Sequence, residues 1–330
     1  MIIDWQHHFT PSEVVLKDRG SQTDSSGPVY NAQRRVLTHV RPEVYQIGAH
    51  IQFMDQAGID MAVLSSPECH SLEDCIVAND ALGEIMRKYP GRFTGLARCI
   101  PSLGPESLKE MVRAVKKIGL KGVCIDAQIE GLELDATEFN PFYETVSELN
   151  VPVFIHIAGT RIGYDAFKTT YNLEVTLGTM VLDMHAVLRL ILGGVLTRFP
   201  LIQFVISHAG GGITASLERV LRYVDAWGKG FWADLGGTPP FDKPFSENFM
   251  KCLNRLYFDI AGYEGGMNAV KCALMYIAPE KLLFATDYPY NFTNLPDKAN
   301  KYIENINRLD LPSHTKQLIL GGNAAALLKL

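Results

Sequence analysis

Phe204-Val205-Ile206-Ser207-His208 is the stretch on which the fold prediction rests, because it joins a short apolar run to a polar residue at its end. Short apolar runs rich in β-branched residues are typical of strands that are buried on both faces. Val153-Phe154-Ile155-His156 and Phe284-Ala285-Thr286-Asp287 repeat this arrangement elsewhere in the chain. We therefore predict several buried strands that end in His or Asp.

Eight such runs alternate with segments of helical periodicity along the 330 residues. The predicted strands span residues 2–8, 61–65, 93–98, 122–126, 153–157, 203–207, 256–260 and 282–286. The predicted helices span residues 44–57, 72–88, 105–118, 136–149, 178–198, 213–227, 266–277 and 312–328. Strands that alternate with helices form parallel sheets, and eight such units favour closure into a barrel. The prediction is an α/β fold, a single (β/α)8 TIM barrel over residues 1–330.

The longest irregular segments follow predicted strands, at about residues 9–42, 158–176 and 228–254. Loops on this side of a barrel are where barrel enzymes bind their substrates. The loops contain aromatic residues that either pack on a ring of the substrate or serve as lids and dimer contacts: Tyr30, Tyr164, Phe167, Tyr171, Phe231 and Trp232. We expect these loops to decide which substrate is bound.

The composition excludes several classes of partner. The formal net charge is −5, and no basic run is longer than Arg34-Arg35 or Lys116-Lys117, which argues against nucleic acids and anionic membranes. No run of 18 apolar residues occurs, so no membrane span is expected. The six cysteines lack CxxC spacing, and the chain starts directly into a strand without a secretory signal. Reduced thiols and a cytoplasmic location are expected.

Four ionisable residues fall at the ends of predicted strands, and they carry the functional prediction: His8, His156, His208 and Asp287. Taken alone, each of the three histidines is readily explained as a buried core residue, and Asp287 as a helix cap. In a barrel, however, all four side chains converge on one mouth. His and Asp are ligands that suit Zn²⁺ or a similar divalent ion. His70, after the second strand, is a weaker candidate for the mouth, and His50 is expected to be an ordinary helix residue.

Motifs along almost the whole chain carry a family resemblance: Ile3-Asp4-Trp5-Gln6-His7-His8-Phe9-Thr10-Pro11, Val153-Phe154-Ile155-His156, Ser207-His208-Ala209-Gly210-Gly211, Tyr257-Phe258-Asp259, Phe284-Ala285-Thr286-Asp287-Tyr288-Pro289 and Gly321-Gly322-Asn323-Ala324. In this order they resemble the aminocarboxymuconate semialdehyde decarboxylase-like branch of the amidohydrolase superfamily.

The resemblance implies one divalent metal ion, usually Zn²⁺ and sometimes Mn²⁺, at four positions: Gln6, His8, His156 and Asp287. It implies that His208 activates metal-bound water or donates a proton. It further implies that Arg219 reaches the substrate carboxylate of a neighbouring subunit in a homodimer or larger homo-oligomer. Arg41 or Arg35 is the candidate for a second carboxylate contact.

Gln6 departs from the family pattern, which has a histidine there, although similar sequences with aromatic acid decarboxylase activity have Glu. His7 is not a substitute, because side chains alternate along a strand, so that residues 6 and 8 point into the barrel and residue 7 points outward. No glycine indicates a bulge. A glutamine oxygen is harder than imidazole, which weakens Zn²⁺ binding or favours Mn²⁺. Two alternatives stay open: a weakened metal site, and a site without metal.

Three functions are compatible with this set of residues. The first is a lyase that removes CO₂ from a small unsaturated or aromatic carboxylic acid, with His208 moving the proton, Asp287 as ligand and possible acid–base partner, and Arg219 neutralising a second anionic group. The second is metal-assisted hydrolysis or hydration of a lactone, amide or enol-acid. The third is a degenerate barrel that only binds a small molecule, for which Gln6 is the sole support.

Overall fold

The computed structural model describes residues 1–17, 27–30, 36–129, 131–157, 171, 173–226 and 228–330. Eight parallel strands form one sheet in the order β1-β4-β5-β6-β7-β8-β9-β10. Their bounds are β1 Ile3–His8, β4 Met61–Ser65, β5 Phe93–Arg98, β6 Gly122–Asp126, β7 Val153–His156, β8 Phe204–Ile206, β9 Tyr257–Asp259 and β10 Leu282–Leu283. All eight predicted strands are present.

Backbone hydrogen bonds join the last strand region to the first. Trp5 N donates to Phe284 O at 2.9 Å, and Asp287 N donates to Gln6 O at 2.8 Å. A parallel bridge between His7 and Tyr288 continues this pairing. The sheet is thus a nearly closed barrel, and the predicted (β/α)8 fold is confirmed.

Helices connect the strands and surround the barrel. Among the described residues the α-helices are α1 Ser12–Val15, α2 Ile47–Ala57, α3 Leu72–Lys88, α4 Pro105–Arg113, α5 Asn140–Leu149, α6 Thr179–Leu192, α7 Val195–Arg198, α8 His208–Ala226, α9 Gly228–Phe231, α10 Phe245–Leu253, α11 Met267–Ala273, α12 Pro296–Asn307, α13 Ser313–Gln317 and α14 Asn323–Leu328. The predicted helix at 178–198 is divided, because Gly194 lies in the left-handed region at φ 74°.

The sequence interpretation missed several elements. An antiparallel pair, β2 Gly27–Tyr30 with β3 Val36–Val40, lies inside the first long loop, and α10 lies in the third. Helix α12 was also missed, although Pro296 at its start and its buried residues Ala299, Tyr302, Ile303 and Ile306 are typical helix signals. Most of the second long loop, residues 158–170 and 172, lies outside the described residues.

The interior of the barrel is closed below the mouth by buried side chains: Ile3, Trp5, Met61, Val63, Leu96, Cys124, Phe154, Val205, Ala261, Leu283 and Ala285. Because side chains alternate along a strand, the residues two positions further on also point inward. Arg98, Asp126 and His156 therefore form the next layer, above Leu96, Cys124 and Phe154. This layer faces the mouth of the barrel.

Strand β1 contains a bulge, for which there is no local signal in the sequence. Asp4 pairs with Ala62 and His7 pairs with Leu64, so a three-residue step on β1 opposes a two-residue step on β4. Such an extra residue shifts the alternation of side chains by one position. The expectation of a regular strand was wrong.

The bulge determines what β1 presents to the mouth. Trp5 fills the barrel interior, where its ring meets Phe154 edge-on at 6.1 Å, and Gln6 and His8 both reach the mouth above it. His7 points outward and packs against His50 of helix α2. As expected, residues 6 and 8 point inward. They do so because of the bulge, and not because side chains alternate regularly along the strand.

Residues Glu174–Leu192 form a helical segment that is long and apolar enough, by composition, to cross a membrane. Its apolar residues include Leu182, Ala186, Leu190 and Ile191, all of which are buried against the rest of the molecule. Other apolar residues of the segment, Val175, Leu177 and Val181, are exposed, and 44% of its apolar window is buried.

Candidate active site

Three ligand-type side chains meet at the mouth of the barrel. His8, His156 and Asp287 each offer one nitrogen or oxygen atom, and these atoms all lie within 4.8 Å of one another. His8 Nε2 is 2.9 Å from Asp287 Oδ1, and the rings of His8 and His156 are 4.4 Å apart. All three residues are buried. The structure brings together three strand ends, from β1, β7 and the segment after β10, that are far apart in the sequence.

Gln6 lies inside this group. Its Nε2 donates to Asp287 Oδ1 at 2.9 Å and lies 3.4 Å from His8 Nε2 and 3.2 Å from His208 Nε2. Its Oε1 is buried and has no hydrogen-bond partner among the described residues. Gln6 thus holds the position of the fourth predicted ligand, with its amide nitrogen towards the carboxylate.

The residues fit a divalent cation. His156 Nδ1 is buried without a hydrogen-bond partner in the described part of the chain, and burial together with the nearby His8 lowers the pKa of His156 well below its usual value. A neutral imidazole with a free lone pair is the form that binds metals. His8 Nδ1 contacts Ser65 Oγ at 3.0 Å, which leaves His8 Nε2 directed at the group.

His208 is held beside this group by an unusual backbone. Residues 208–212 all have positive φ, from 51° to 76°, so the chain makes a left-handed turn before the right-handed part of α8 begins. The predicted helix start at residue 213 agrees with this. Such a turn is costly for residues other than glycine, and it packs closely: a Cβ on Gly211 would lie 1.9 Å from Met180 O.

The ring of His208 is fixed from three sides. Its Nδ1 lies 2.9 Å from Asp183 Oδ2, its Nε2 lies 3.9 Å from Asp287 Oδ2, and Gly262 packs against its face. Asp183 is fully buried on α6 and also accepts a hydrogen bond from Ser207 Oγ at 2.6 Å. Because the Asp183 carboxylate accepts a hydrogen bond from His208 Nδ1–H, Nε2 is the nitrogen of His208 that faces the mouth.

Charge at the site favours a protonated His208. Burial opposes its protonation, but Asp183 and Asp287 outweigh this, so that the pKa of His208 lies well above its usual value. Burial raises the pKa of Asp287, but the hydrogen bonds and charges of His208 and His8 outweigh burial and hold this pKa well below its usual range. The mouth therefore brings an aspartate with a lowered pKa next to a histidine with a raised one.

Asp287 is also held in a strained backbone, with φ at 63°. Its Oδ2 accepts a hydrogen bond from Asn291 Nδ2 at 2.6 Å, and the backbone N–H of Asn291 donates to Asp287 O at 2.9 Å. These contacts, with the bond from Asp287 N to Gln6 O, fix the carboxylate at the mouth.

A buried chain of hydrogen bonds supports strand β1 from outside the barrel. His50 Nε2 lies 2.6 Å from Glu43 O, His50 Nδ1 lies 2.9 Å from His7 Nε2, and His7 Nδ1 lies 2.8 Å from Asp4 Oδ2. Thr286 N donates to Asp4 Oδ1 at 2.8 Å, which connects the chain to the residue before Asp287. His50 is therefore a buried, hydrogen-bonded residue of α2, and it supports strand β1 from outside the barrel.

The direction of these bonds follows from the carbonyl of Glu43, which can only accept. His50 Nε2 must donate to it, so a neutral His50 accepts from His7 Nε2, and one further proton is shared between His7 Nδ1 and Asp4 Oδ2. Burial supports each step, because it lowers the pKa of His50 well below its usual value, lowers that of His7 to about 3, and raises that of Asp4 to about 7.

The structure does not bring every predicted residue to the site. Arg219 is exposed on α8, where its guanidinium lies 5.1 Å from the ring centre of Tyr223. Arg41 donates to Thr293 Oγ1 at 2.6 Å, in the segment that follows Asp287. His70 is exposed, and Arg35 lies outside the described residues. Among the described residues, Asp183 and the His7–His50 pair are the supporting groups that the sequence interpretation missed.

Comparison with known proteins gives consistent results. The family model described as "Amidohydrolase" matches residues 3–330. The chain is 26% identical to gamma-resorcylate decarboxylase of Polaromonas sp. (98% of this chain, 97% of that protein). It is also 26% identical to 2-amino-3-carboxymuconate-6-semialdehyde decarboxylase of Dictyostelium discoideum (85% and 76%). The resemblance seen in the sequence is thereby confirmed.

A solved structure has the same fold over the full length. The 5-carboxyvanillate decarboxylase of Novosphingobium aromaticivorans, complexed with manganese and 4-hydroxy-3-methoxy-5-nitrobenzoic acid, superposes with a TM-score of 0.79 at 22% identity. The match covers 100% of this chain and 96% of the other.

Proposed function

The chain belongs to the amidohydrolase family, and on that premise we propose that it is a metal-dependent decarboxylase of a small aromatic or unsaturated carboxylic acid. The observation that carries the proposal is the position of His208, whose Nε2 faces the ligand group of His8, His156 and Asp287. A proton donor beside a cation site is what replacement of a carboxyl group by hydrogen needs. The decarboxylases among the relatives support this choice.

His8, His156 and Asp287 would hold the ion, with Gln6 as the fourth ligand. When bound, a divalent ion supplies positive charge that fixes a substrate carboxylate and a neighbouring oxygen. A half-turn of the Gln6 amide exchanges its nitrogen and its unpartnered oxygen, and only the oxygen can bind a cation. Zn²⁺ is the first candidate because of the two imidazoles, and Mn²⁺ is the second because an amide oxygen is a harder ligand.

The chain's own residues move the proton. His208 Nε2 gives its proton to the carbon that bears the carboxylate, the electrons of the C–C bond stay with that carbon, and the carboxylate leaves as CO₂. Asp183 keeps the ring of His208 in the orientation that this transfer requires. Asp287 stays ionised beside it and stabilises the imidazolium before transfer.

We further propose that the protein acts in the cytoplasm as a homodimer or larger homo-oligomer. Arg219 is exposed on α8, so its guanidinium is available to the substrate carboxylate of a neighbouring subunit. Arg41 lies beside the segment after Asp287 and is the candidate for a contact within the same subunit.

Product analysis tests the proposal. The purified protein, with its metal content measured, is incubated with 2-, 3- and 4-hydroxybenzoates and their dihydroxy analogues in H₂¹⁸O. We expect CO₂ release without incorporation of ¹⁸O into the organic product. A parallel incubation in H₂¹⁸O uses an aryl lactone and an aryl amide. Incorporation of ¹⁸O into these compounds, with no CO₂ released from the acids, would instead show hydrolysis, part of the second function considered from the sequence.

The variant His208→Ala separates the proton donor from the cation site. We expect it to keep the wild-type metal content and to lose CO₂ release by about a hundredfold or more. Full activity in this variant would contradict the role of His208. A protein that binds no divalent ion and releases CO₂ equally well in the presence of a chelator would contradict the metal dependence.

A further inference from the structure

The mouth of the barrel contains a second charged pair that takes no part in the cation site. Arg98 ends β5 and Asp126 ends β6. Arg98 Nη1 donates to Asp126 Oδ1 at 2.7 Å and Nη2 donates to Oδ2 at 2.8 Å, which is a bidentate contact. The guanidinium therefore holds the carboxylate rigidly through two parallel hydrogen bonds.

The two partners differ in their access to solvent. The side chain of Arg98 is 1% exposed, while that of Asp126 is 15% exposed. Both point into the barrel, and the layer beneath them, which includes Leu96 and Cys124, is fully buried. In the part of the chain that the structure describes, the exposed edge of Asp126 is therefore open towards the mouth. The charge on Arg98 lies behind it.

Asp126 is also next to the cation site. Its Cα pairs with that of His156 in the register of β6 and β7, and neighbouring strands are about 4.8 Å apart. A small ring whose carboxylate lies at the cation site thus has Asp126 within reach of its other substituents. Each oxygen of Asp126 gives one lone pair to Arg98 and keeps another for a donor that enters from the mouth.

We propose that Asp126, positioned by Arg98, binds a neutral hydrogen-bond donor on the substrate, a hydroxyl or amino group, and disfavours a second carboxylate there. Seen from the mouth, the Asp126 carboxylate lies in front of the Arg98 guanidinium, so an anionic substituent of the substrate is repelled by Asp126. This inference rests on the proposed function for its choice of aromatic acids, but it concerns binding and is tested as binding.

The experiment compares the affinities of benzoate and of 2-, 3- and 4-hydroxybenzoate by calorimetry, with the protein loaded with Mn²⁺. We expect the wild type to bind at least one hydroxybenzoate about tenfold more tightly than benzoate, as one hydrogen bond to a charged group gives. Asp126→Asn should lose this preference and keep its affinity for benzoate.

Two further variants guard against a loss of folding. Asp126→Asn leaves Arg98 without an anion, so the double variant Arg98→Met with Asp126→Leu removes both charges together. It should fold, as seen in its thermal transition, and also lack the preference. Asp135→Asn is the matched control, because Asp135 is a largely buried carboxylate that accepts a hydrogen bond from Arg189 Nε at 2.7 Å, outside the mouth. It should keep the preference for the hydroxybenzoate.

The proposal is overturned if no hydroxybenzoate binds the wild type more tightly than benzoate, or if the preference survives in both Asp126 variants. It is also overturned if these variants lose affinity for benzoate as much as for the hydroxybenzoate. CO₂ release is measured separately. A preference that depends on Asp126 in a protein that releases no CO₂ supports this inference and contradicts only the proposed reaction. CO₂ release by the wild type, together with a preference that is unchanged in the Asp126 variants, supports the proposed reaction and contradicts this inference.

Discussion

Replacement of Gly262 by alanine should displace the ring of His208 without touching the cation site. A Cβ at this position would lie 2.5 Å from His208 Cδ2 and 3.3 Å from His208 Nε2. Carbon atoms in contact are normally about 3.5–4.0 Å apart. The ring must therefore move by about 1 Å away from Gly262 for the alanine to be accommodated.

The size of the effect follows from two terms. Gly262 has φ at 82°, where an alanine costs about 1–2 kcal/mol in unfolding free energy. A displacement of about 1 Å at a reacting group costs about a hundredfold in rate. We therefore expect Gly262→Ala to be modestly less stable and to retain about 1% of the wild-type rate of CO₂ release, with its metal content unchanged.

Gly58→Ala is the matched control. Gly58 has φ at 76°, and a Cβ there would meet only Asn300 Nδ2, at 3.5 Å, an ordinary contact. This variant should lose similar stability in a urea titration and keep its activity. Rates are measured on the acid that the wild type decarboxylates fastest, with metal content determined on the same samples. If folded Gly262→Ala is as active as Gly58→Ala, the position of the His208 ring is not what limits the reaction.

Three other variants test other parts of the site. Asp183→Asn removes a carboxylate that raises the pKa of His208, so His208 should lose its proton at a lower pH. The rate should fall roughly tenfold or more, and the alkaline limb of the pH profile should shift to lower pH. An unshifted profile would argue against the contact between Asp183 and His208. Gln6→His should bind Zn²⁺ more tightly in competition with a chelator, and unchanged affinity would show that residue 6 is not a ligand. Gly211→Ala places a Cβ 1.9 Å from Met180 O and should lose about 4 kcal/mol in unfolding free energy, a prediction that a wild-type urea midpoint would refute.

The barrel could be predicted because its signal is repeated. Eight apolar runs, each followed by a helical segment, leave few other arrangements, and the strand ends of a barrel necessarily meet. The sequence therefore predicts that His8, His156 and Asp287 meet at one mouth, and in the structure their ligand atoms lie within 4.8 Å of one another. Their roles as ligands remain predictions.

The same rule should have selected Arg98 and Asp126, which also end predicted strands. The functional prediction rests on metal ligands and acid–base groups, and an arginine beside an aspartate is neither, so the prediction does not include this pair. The position of both residues at strand ends is nevertheless visible in the sequence.

Other features had no local signal. Asp183 reaches His208 from a helix 25 positions earlier in the chain, and helical periodicity marks only which face is apolar. The bulge in β1 contains no glycine, so nothing distinguishes it from a regular strand. The left-handed turn did leave a trace in Gly210-Gly211-Gly212, but its extension to His208 and Ala209 depends on packing against α6.

The chain of bonds from Asp4 to Glu43 has a consequence for transplanting this mouth into another barrel. Two of its hydrogen-bond directions are set at the far end, by a carbonyl in the turn before α2, to which His50 Nε2 must donate. A graft of strand β1 alone would deprive His7 Nε2 of its acceptor, directly behind Gln6 and His8. The smallest transferable unit is therefore the strand together with the turn and helix that follow it, although neither Glu43 nor His50 reaches the mouth.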